Sequence, residues 1–179
     1  MLLLIAATEP ELCGHPGLVC GIGPVESAAA TAAALAQDRP AAVLHVGVAG
    51  ARGLEPGTIV VGAESLYSDI AAAVPVVSRA EPDPALLAAA RTALPDAPCL
   101  PIVTSAAVSP RDAASRATLV EAMEGFAVLR ACALAGVPAL EVRVVSNEIG
   151  EQDRARWRIP DALDALAVSL PRVIAALGQ

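Results

Sequence analysis

The side chains with chemistry to offer are a few carboxylates, one carboxamide and one arginine. Glu9 and Glu11 follow the apolar run 2–7, so both stand where a buried strand ends. Glu124 comes after Met123 and opens an apolar, helix-like run. Glu141 and Arg143 sit at i and i+2 in a second apolar strand, on one face of it, which reads as an internal ion pair. Asn147 follows Ser146 at the end of that strand. Ligands of open α/β sheets bind where strands end and loops begin. Glu124 and Asn147 bracket one helix-plus-strand unit and are therefore candidates to share a pocket. A carboxylate there can accept hydrogen bonds or a proton, and a carboxamide can both donate and accept.

Other catalytic patterns are missing. Gly21-Ile22-Gly23 begins a dinucleotide fingerprint, but its third glycine would fall on Glu26, whose charge opposes a pyrophosphate. These glycines read as a helix-entry turn. The sequence has no phosphate-binding G-x-x-x-x-G-K-[ST], no H-E-x-x-H and no G-x-S-x-G. His15 and His45 are the two histidines, and nothing supports a Ser-His-Asp arrangement; His45, in mid-strand, reads as a satisfied core histidine. Cys13, Cys20, Cys99 and Cys132 lack metal-ligand spacing and read as reduced, buried thiols. No metal or cofactor is expected.

The elements that must position these residues alternate. Strands are expected over 2–7, 18–20, 41–48, 57–61, 100–104 and 139–145, and helices over 25–35 and 83–94, with Pro24 in a first turn and Asp83 as a cap. A short helix is expected from Ser109-Pro110, and a last one from Asp161 that Pro171 should kink or restart. Gly47-Val48-Ala49-Gly50 reads as a turn after its strand, and Ser146-Asn147 as the start of a polar loop. Over 115–135 periodicity alone permits one long helix. Strand-helix alternation indicates an α/β fold with a largely parallel sheet.

Composition narrows the class. The 179 residues are 55% hydrophobic but 2% aromatic, so a single domain, 1–179, is expected with an Ala, Val and Leu core. A net charge of −7 argues against a nucleic-acid partner, which needs a basic face. The apolar start lacks a basic region and reads as a buried strand rather than a signal peptide. The longest membrane candidate, 126–140, contains Arg130, Gly136 and Pro138. No membrane partner and a cytoplasmic location are expected.

Taken in order, six segments resemble the purine nucleoside phosphorylase/nucleosidase superfamily. They are Ala7-Thr8-Glu9-Pro10-Glu11, Gly21-Ile22-Gly23, Val46-Gly47-Val48-Ala49-Gly50, Pro56-Gly57-Thr58-Ile59-Val60-Val61, Met123-Glu124-Gly125 and Arg143-Val144-Val145-Ser146-Asn147. Toward the C-terminus, Ser146-Asn147-Glu148-Ile149-Gly150, Asp153-Arg154, Trp157-Arg158-Ile159-Pro160 and Ala162-Leu163 are similar to that superfamily's futalosine hydrolase branch. The methylthioadenosine/S-adenosylhomocysteine nucleosidase branch has Asp in place of Asn147. The resemblance implies a three-layer phosphorylase/hydrolase-like α/β fold, with a mixed, curved β-sheet flanked by helices. It also makes 119–123 a strand end, with a helix starting after Glu124.

For function, the resemblance implies a cofactor-free nucleosidase acting on a small-molecule nucleoside, and a homo-oligomer. Futalosine would yield hypoxanthine and dehypoxanthine futalosine, a step of menaquinone biosynthesis. A methylthioadenosine/S-adenosylhomocysteine-type nucleosidase, a nucleoside phosphorylase and an inactive nucleoside-binding module are the alternatives. By resemblance Glu11 orients and deprotonates the attacking water, with Glu9 the alternative if the loop register differs by two. Glu124 accepts from the ribose hydroxyls and Met123 packs against the sugar. Val48, Ala49, Gly50, Ser146 and Arg143 complete the substrate site, and Asn147 meets the N7/O6 edge of the purine. A carboxamide can donate to O6 and accept from N7–H, which favours a 6-oxopurine. The first loop, with two acids and no arginine, would repel phosphate, so water is the expected nucleophile.

The chain departs from the family in being shorter between Glu11 and Leu18 and between Tyr67 and Pro98. The segment 104–108, where a base-stacking aromatic is expected, has none. Phe126, Trp157 or an aliphatic wall would take its place, and Arg52, Arg154 and Arg156 are candidates for the substrate's distal carboxylate.

Overall fold

The computed structural model describes residues 1–70, 72–107 and 119–178. The helix expected at Ser109-Pro110, and Val108 of the stacking segment, lie outside the described residues. An eight-stranded mixed sheet carries helices on its two faces. Its strands are β1 (Leu2–Ala6), β2 (Leu18–Val19), β3 (Ala42–Ala51), β4 (Ile59–Tyr67), β5 (Arg79–Ala80), β6 (Cys99–Thr104), β7 (Val120–Ala122) and β8 (Ala139–Glu148). The helices are α1 (Pro24–Gln37), α2 (Pro84–Ala93), α3 (Gly125–Ala135) and α4 (Ile159–Leu177).

The sheet curves far enough to close on itself. β3 pairs with β8 and β7, β8 with β4, β4 with β6, and β6 with β7, which makes a ring of five strands. Ala49, Ala51, Val60, Ile102, Val120, Ala122 and Val145 fill it, at least one from each strand. A ring this narrow has room inside only for small and β-branched side chains. That is where the Ala- and Val-rich, aromatic-poor composition is used. Outside the ring, β1 and β2 extend the sheet beyond β3 in parallel.

The helices cover the two outer faces. Leu166, Leu170 and Val173 of α4 pack with Leu44, Val46, Leu140 and Val142. Val128, Leu129 and Cys132 of α3 pack with Ile5 and Val43 on the other side. Fully burying one such leucine contributes about 1.5–3 kcal/mol. Local signals work where they were expected to. Pro24 occupies the first turn of α1, and Asp83 caps α2 by accepting from the Ala85 and Leu86 N–H groups.

Three expectations need correction. Gly47 to Gly50 is not a turn: β3 continues through it to Ala51, with a register shift between Ala49 and Gly50. Ser146 and Asn147 lie within β8, not in a loop after it, because β8 stays paired with β3 to Glu148. Pro171 does not restart the last helix, since α4 runs from Ile159 to Leu177 with Pro171 inside it. The ambiguous 119–123 stretch is strand β7, and α3 starts at Gly125, directly after Glu124.

Candidate active site

β1, β3 and β8 run parallel, so their C-terminal ends lie together. The chain leaving β1 forms one 3-10 turn, Glu9–Leu12, and this turn carries Glu11 back against β3. Thr8, at the head of the turn, donates its N–H and its hydroxyl to Glu11 Oε2, at 2.9 and 2.7 Å. The Val48 N–H of β3 donates to the other oxygen, Oε1, at 3.0 Å. Both oxygens of a carboxylate that is 6% exposed are thus held. Glu9 is exposed, and among the described residues no hydrogen bond places its side chain at the site. Thr8-x-x-Glu11 is a capping-box pattern, and the sequence signal for this hold was there to be read.

Glu124 reaches the same region from the start of α3 and is buried. The Gly23 N–H donates to its Oε1 at 3.1 Å, and Arg143 Nη2 donates to its Oε2 at 3.3 Å. Gly23 precedes α1, so the helix-entry turn supplies a donor to the site. Sequence spacing carries no sign of this contact across 101 positions. Burial pushes the pKa of Glu124 up; Arg143 and the Gly23 N–H oppose the shift, while Glu11 and Glu141 add to it.

Arg143 is fully buried and joins these groups. Its Nε donates to Glu141 Oε1 at 2.8 Å, which is the ion pair expected from the i, i+2 spacing. Its Nη2 donates to His45 Nε2 as well as to Glu124, and its Nη1 lies 3.5 Å from the Val48 carbonyl. Burial by itself lowers its pKa, but Glu141, Glu124 and Glu11 together outweigh that and raise it. Glu141 accepts in addition from the Ser65 hydroxyl and lies against Gly125, where a Cβ would overlap its carboxylate. Gly47 is needed for a similar reason, since a Cβ there would fall 2.6 Å from Glu11 Oε1 and strike Arg143.

Asn147 ends the β8 edge of the site. Its Nδ2 donates to the Glu148 carbonyl at 3.0 Å, which leaves Oδ1 to accept from the Ser146 hydroxyl at 2.7 Å. Among the described residues, one N–H and one lone pair of the amide have no further partner. Asn147 lies alongside Gly50, and Gly50 pairs with Glu121 of β7, two residues before Met123. Val48, Gly50 and Met123 are half-buried, whereas Ala49 and Ser146 are buried. Phe126 stacks on Tyr67 with ring centroids 5.3 Å apart, a pairing that sequence reading did not anticipate. Arg154 lies over the Trp157 ring, and Arg156 pairs with Glu151 and Asp153. Among the described residues, Nε of Arg52 has no hydrogen-bond partner.

This closed mixed sheet, with carboxylates gathered at its strand ends, is the architecture of a known class. The chain belongs to the phosphorylase superfamily, whose sequence model matches residues 12–177. Among curated relatives, the futalosine hydrolase of Streptomyces coelicolor is 52% identical over 59 residues, 33% of this chain and 25% of that protein. The futalosine hydrolase of Thermus thermophilus is 46% identical over 59 residues, 33% of this chain and 26% of that protein. The chain thus matches about a quarter of the length of these relatives. Among solved structures, the Streptococcus pneumoniae MTA/SAH nucleosidase bound to 8-aminoadenine superposes with a TM-score of 0.85 at 22% identity, covering 98% of this chain and 99% of that one. The futalosine hydrolase of Helicobacter pylori gives 0.85 at 16% identity, covering 97% of each chain. These structural likenesses establish the fold.

Proposed function

We propose that the chain hydrolyses the N-glycosidic bond of futalosine, releasing hypoxanthine and dehypoxanthine futalosine. The observation that carries the reading is Glu11, a buried carboxylate with both oxygens held, beside a second buried carboxylate, Glu124. Three buried carboxylates, Glu11, Glu124 and Glu141, surround one guanidinium, and His45 is not a second cation. A site with formal negative excess suits a sugar that becomes positive as its bond to the base breaks. It repels an incoming phosphate. Water therefore attacks C1′ and gives a proton to Glu11 as the C1′–N9 bond breaks. The bonding electrons leave with the purine, which takes a proton from solvent at N7. Glu124 accepts from the ribose hydroxyls, and these bonds strengthen as the sugar gains charge. Asn147 accepts from N7–H and donates to O6.

The identity with futalosine hydrolases supports the choice of substrate. On this reading Arg52, with its Nε unpaired among the described residues, meets the substrate's distal carboxylate. The protein works as a cytoplasmic homo-oligomer without a nucleic-acid or membrane partner; among the described residues no helix is long and apolar enough to cross a membrane. Product analysis with futalosine, inosine and methylthioadenosine tests the reading. Futalosine is the preferred substrate of the wild type, and Asn147→Asp loses activity on it by about 100-fold or more, the scale of one lost transition-state donor. Equal turnover of methylthioadenosine, or indifference to Asn147→Asp, would overturn it.

A further inference from the structure

We propose that His45 is a positioning residue for Glu124 and acts through Nη2 of Arg143. The inference rests on the reading of Glu124 as the ribose-binding carboxylate. His45 lies in mid-β3, directly across from Glu141 of β8, and is fully buried. Its Nδ1 is 3.1 Å from the Ile5 carbonyl of β1, which can only accept, so Nδ1 carries the proton. Nε2 is left with a lone pair, and it accepts from Arg143 Nη2. The other N–H of Nη2 serves Glu124.

A guanidinium is planar, with its donors in a fixed fork. Glu141 fixes Nε and His45 fixes Nη2, so the plane is set by two contacts. The direction of the N–H that meets Glu124 is then no longer free. The charged groups around the ring are Arg143 and Glu141 on β8 and Glu124 at the head of α3. Burial first, and the facing guanidinium second, hold His45 well below its ordinary pKa of 6.5, in agreement with the neutral tautomer the contacts require. A histidine needed only for packing would be replaceable by any ring of its size.

The test pairs His45→Phe with His45→Gln in kinetics on futalosine. Phenylalanine keeps the ring and removes the acceptor; glutamine loses the ring but carries Oε1 the same number of bonds out as Nε2. The expected result, corrected for folded fraction by thermal melting, is a fall in kcat of about 10- to 100-fold for His45→Phe, with KM moving less. His45→Gln recovers a large part of it. In parallel, nitrogen NMR of the wild type, with the His45 signals assigned by their loss in His45→Phe, should show the neutral Nδ1–H form on both sides of pH 6.5, the ordinary histidine pKa. An Nε2–H tautomer overturns the proposal whatever the activity. A His45→Gln protein as impaired as His45→Phe overturns it too. A wild type inactive on every nucleoside sinks the Glu124 reading instead, and the tautomer then decides whether His45 still orients Arg143.

Discussion

At the scale of single residues, the chemistry turns on how carboxylates are held. Thr8 supplies two of the three bonds to Glu11. Thr8→Val removes only the hydroxyl, and a hydrogen bond to a charged group contributes about 1.5–3 kcal/mol. We expect kcat to drop roughly 10-fold and the melting temperature to fall by several degrees; a kcat equal to wild type would mean that the backbone alone holds Glu11. Glu124 behaves differently, because burial raises its pKa above the ordinary 4.5. A carboxyl whose folded pKa lies above its unfolded value contributes stability below the unfolded pKa, and this is lost as pH rises through the folded one. Ionised Glu124 therefore costs stability at neutral pH. Glu124→Gln should melt no lower than wild type at pH 7 while losing about 100-fold or more in kcat, a stability gain set against function. The acid limb of the wild-type rate should also lie above pH 4.5, the ordinary carboxylate value. A variant that melts well below wild type would show that the bond to Arg143 outweighs the burial.

At the scale of elements, the site depends on close approach of strands and helix starts. Glu141 fits only because α3 begins with Gly125, where a Cβ would overlap its carboxylate. Gly125→Ala should displace Glu141 and strip Arg143 Nε of its partner. Breaking a buried ion pair costs about 3–5 kcal/mol, so a clear drop in melting temperature is expected; a melt equal to wild type would mean that Glu141 has room to move. Much at this scale was legible in the sequence. The continuous apolar runs marked β1, β3 and β8, Asp83 and Pro24 marked helix starts, and the i, i+2 spacing gave the Glu141–Arg143 pair. What was not legible depends on pairing between distant strands. Glycines at 47 and 50 suggest a turn locally, yet β8 and β7 keep that stretch in the sheet. The two-residue strand β5 has no periodicity to detect. The Gly23 donor and the His45–Arg143 contact likewise exist only once β1, β3 and β8 are in register.

At the scale of the molecule, the ring of β3, β8, β4, β6 and β7 ties the site to the core. The strands that present Val48 and Asn147, and β7 that leads into Glu124, are the same ones whose inner faces close around Ala49, Val145 and Ala122. The site should then be lost together with the fold, in a single thermal transition. The four cysteines are free, so a reducing agent should leave that transition where it is; a shift would reveal a disulfide. On the proposed reading the acidic site uses water and excludes phosphate. The most direct measurement is hypoxanthine release from futalosine with phosphate absent and present, for the wild type and Glu11→Gln. Release should proceed at the same rate in both conditions and be lost in Glu11→Gln. Release that requires phosphate, or that persists in Glu11→Gln, would contradict that reading.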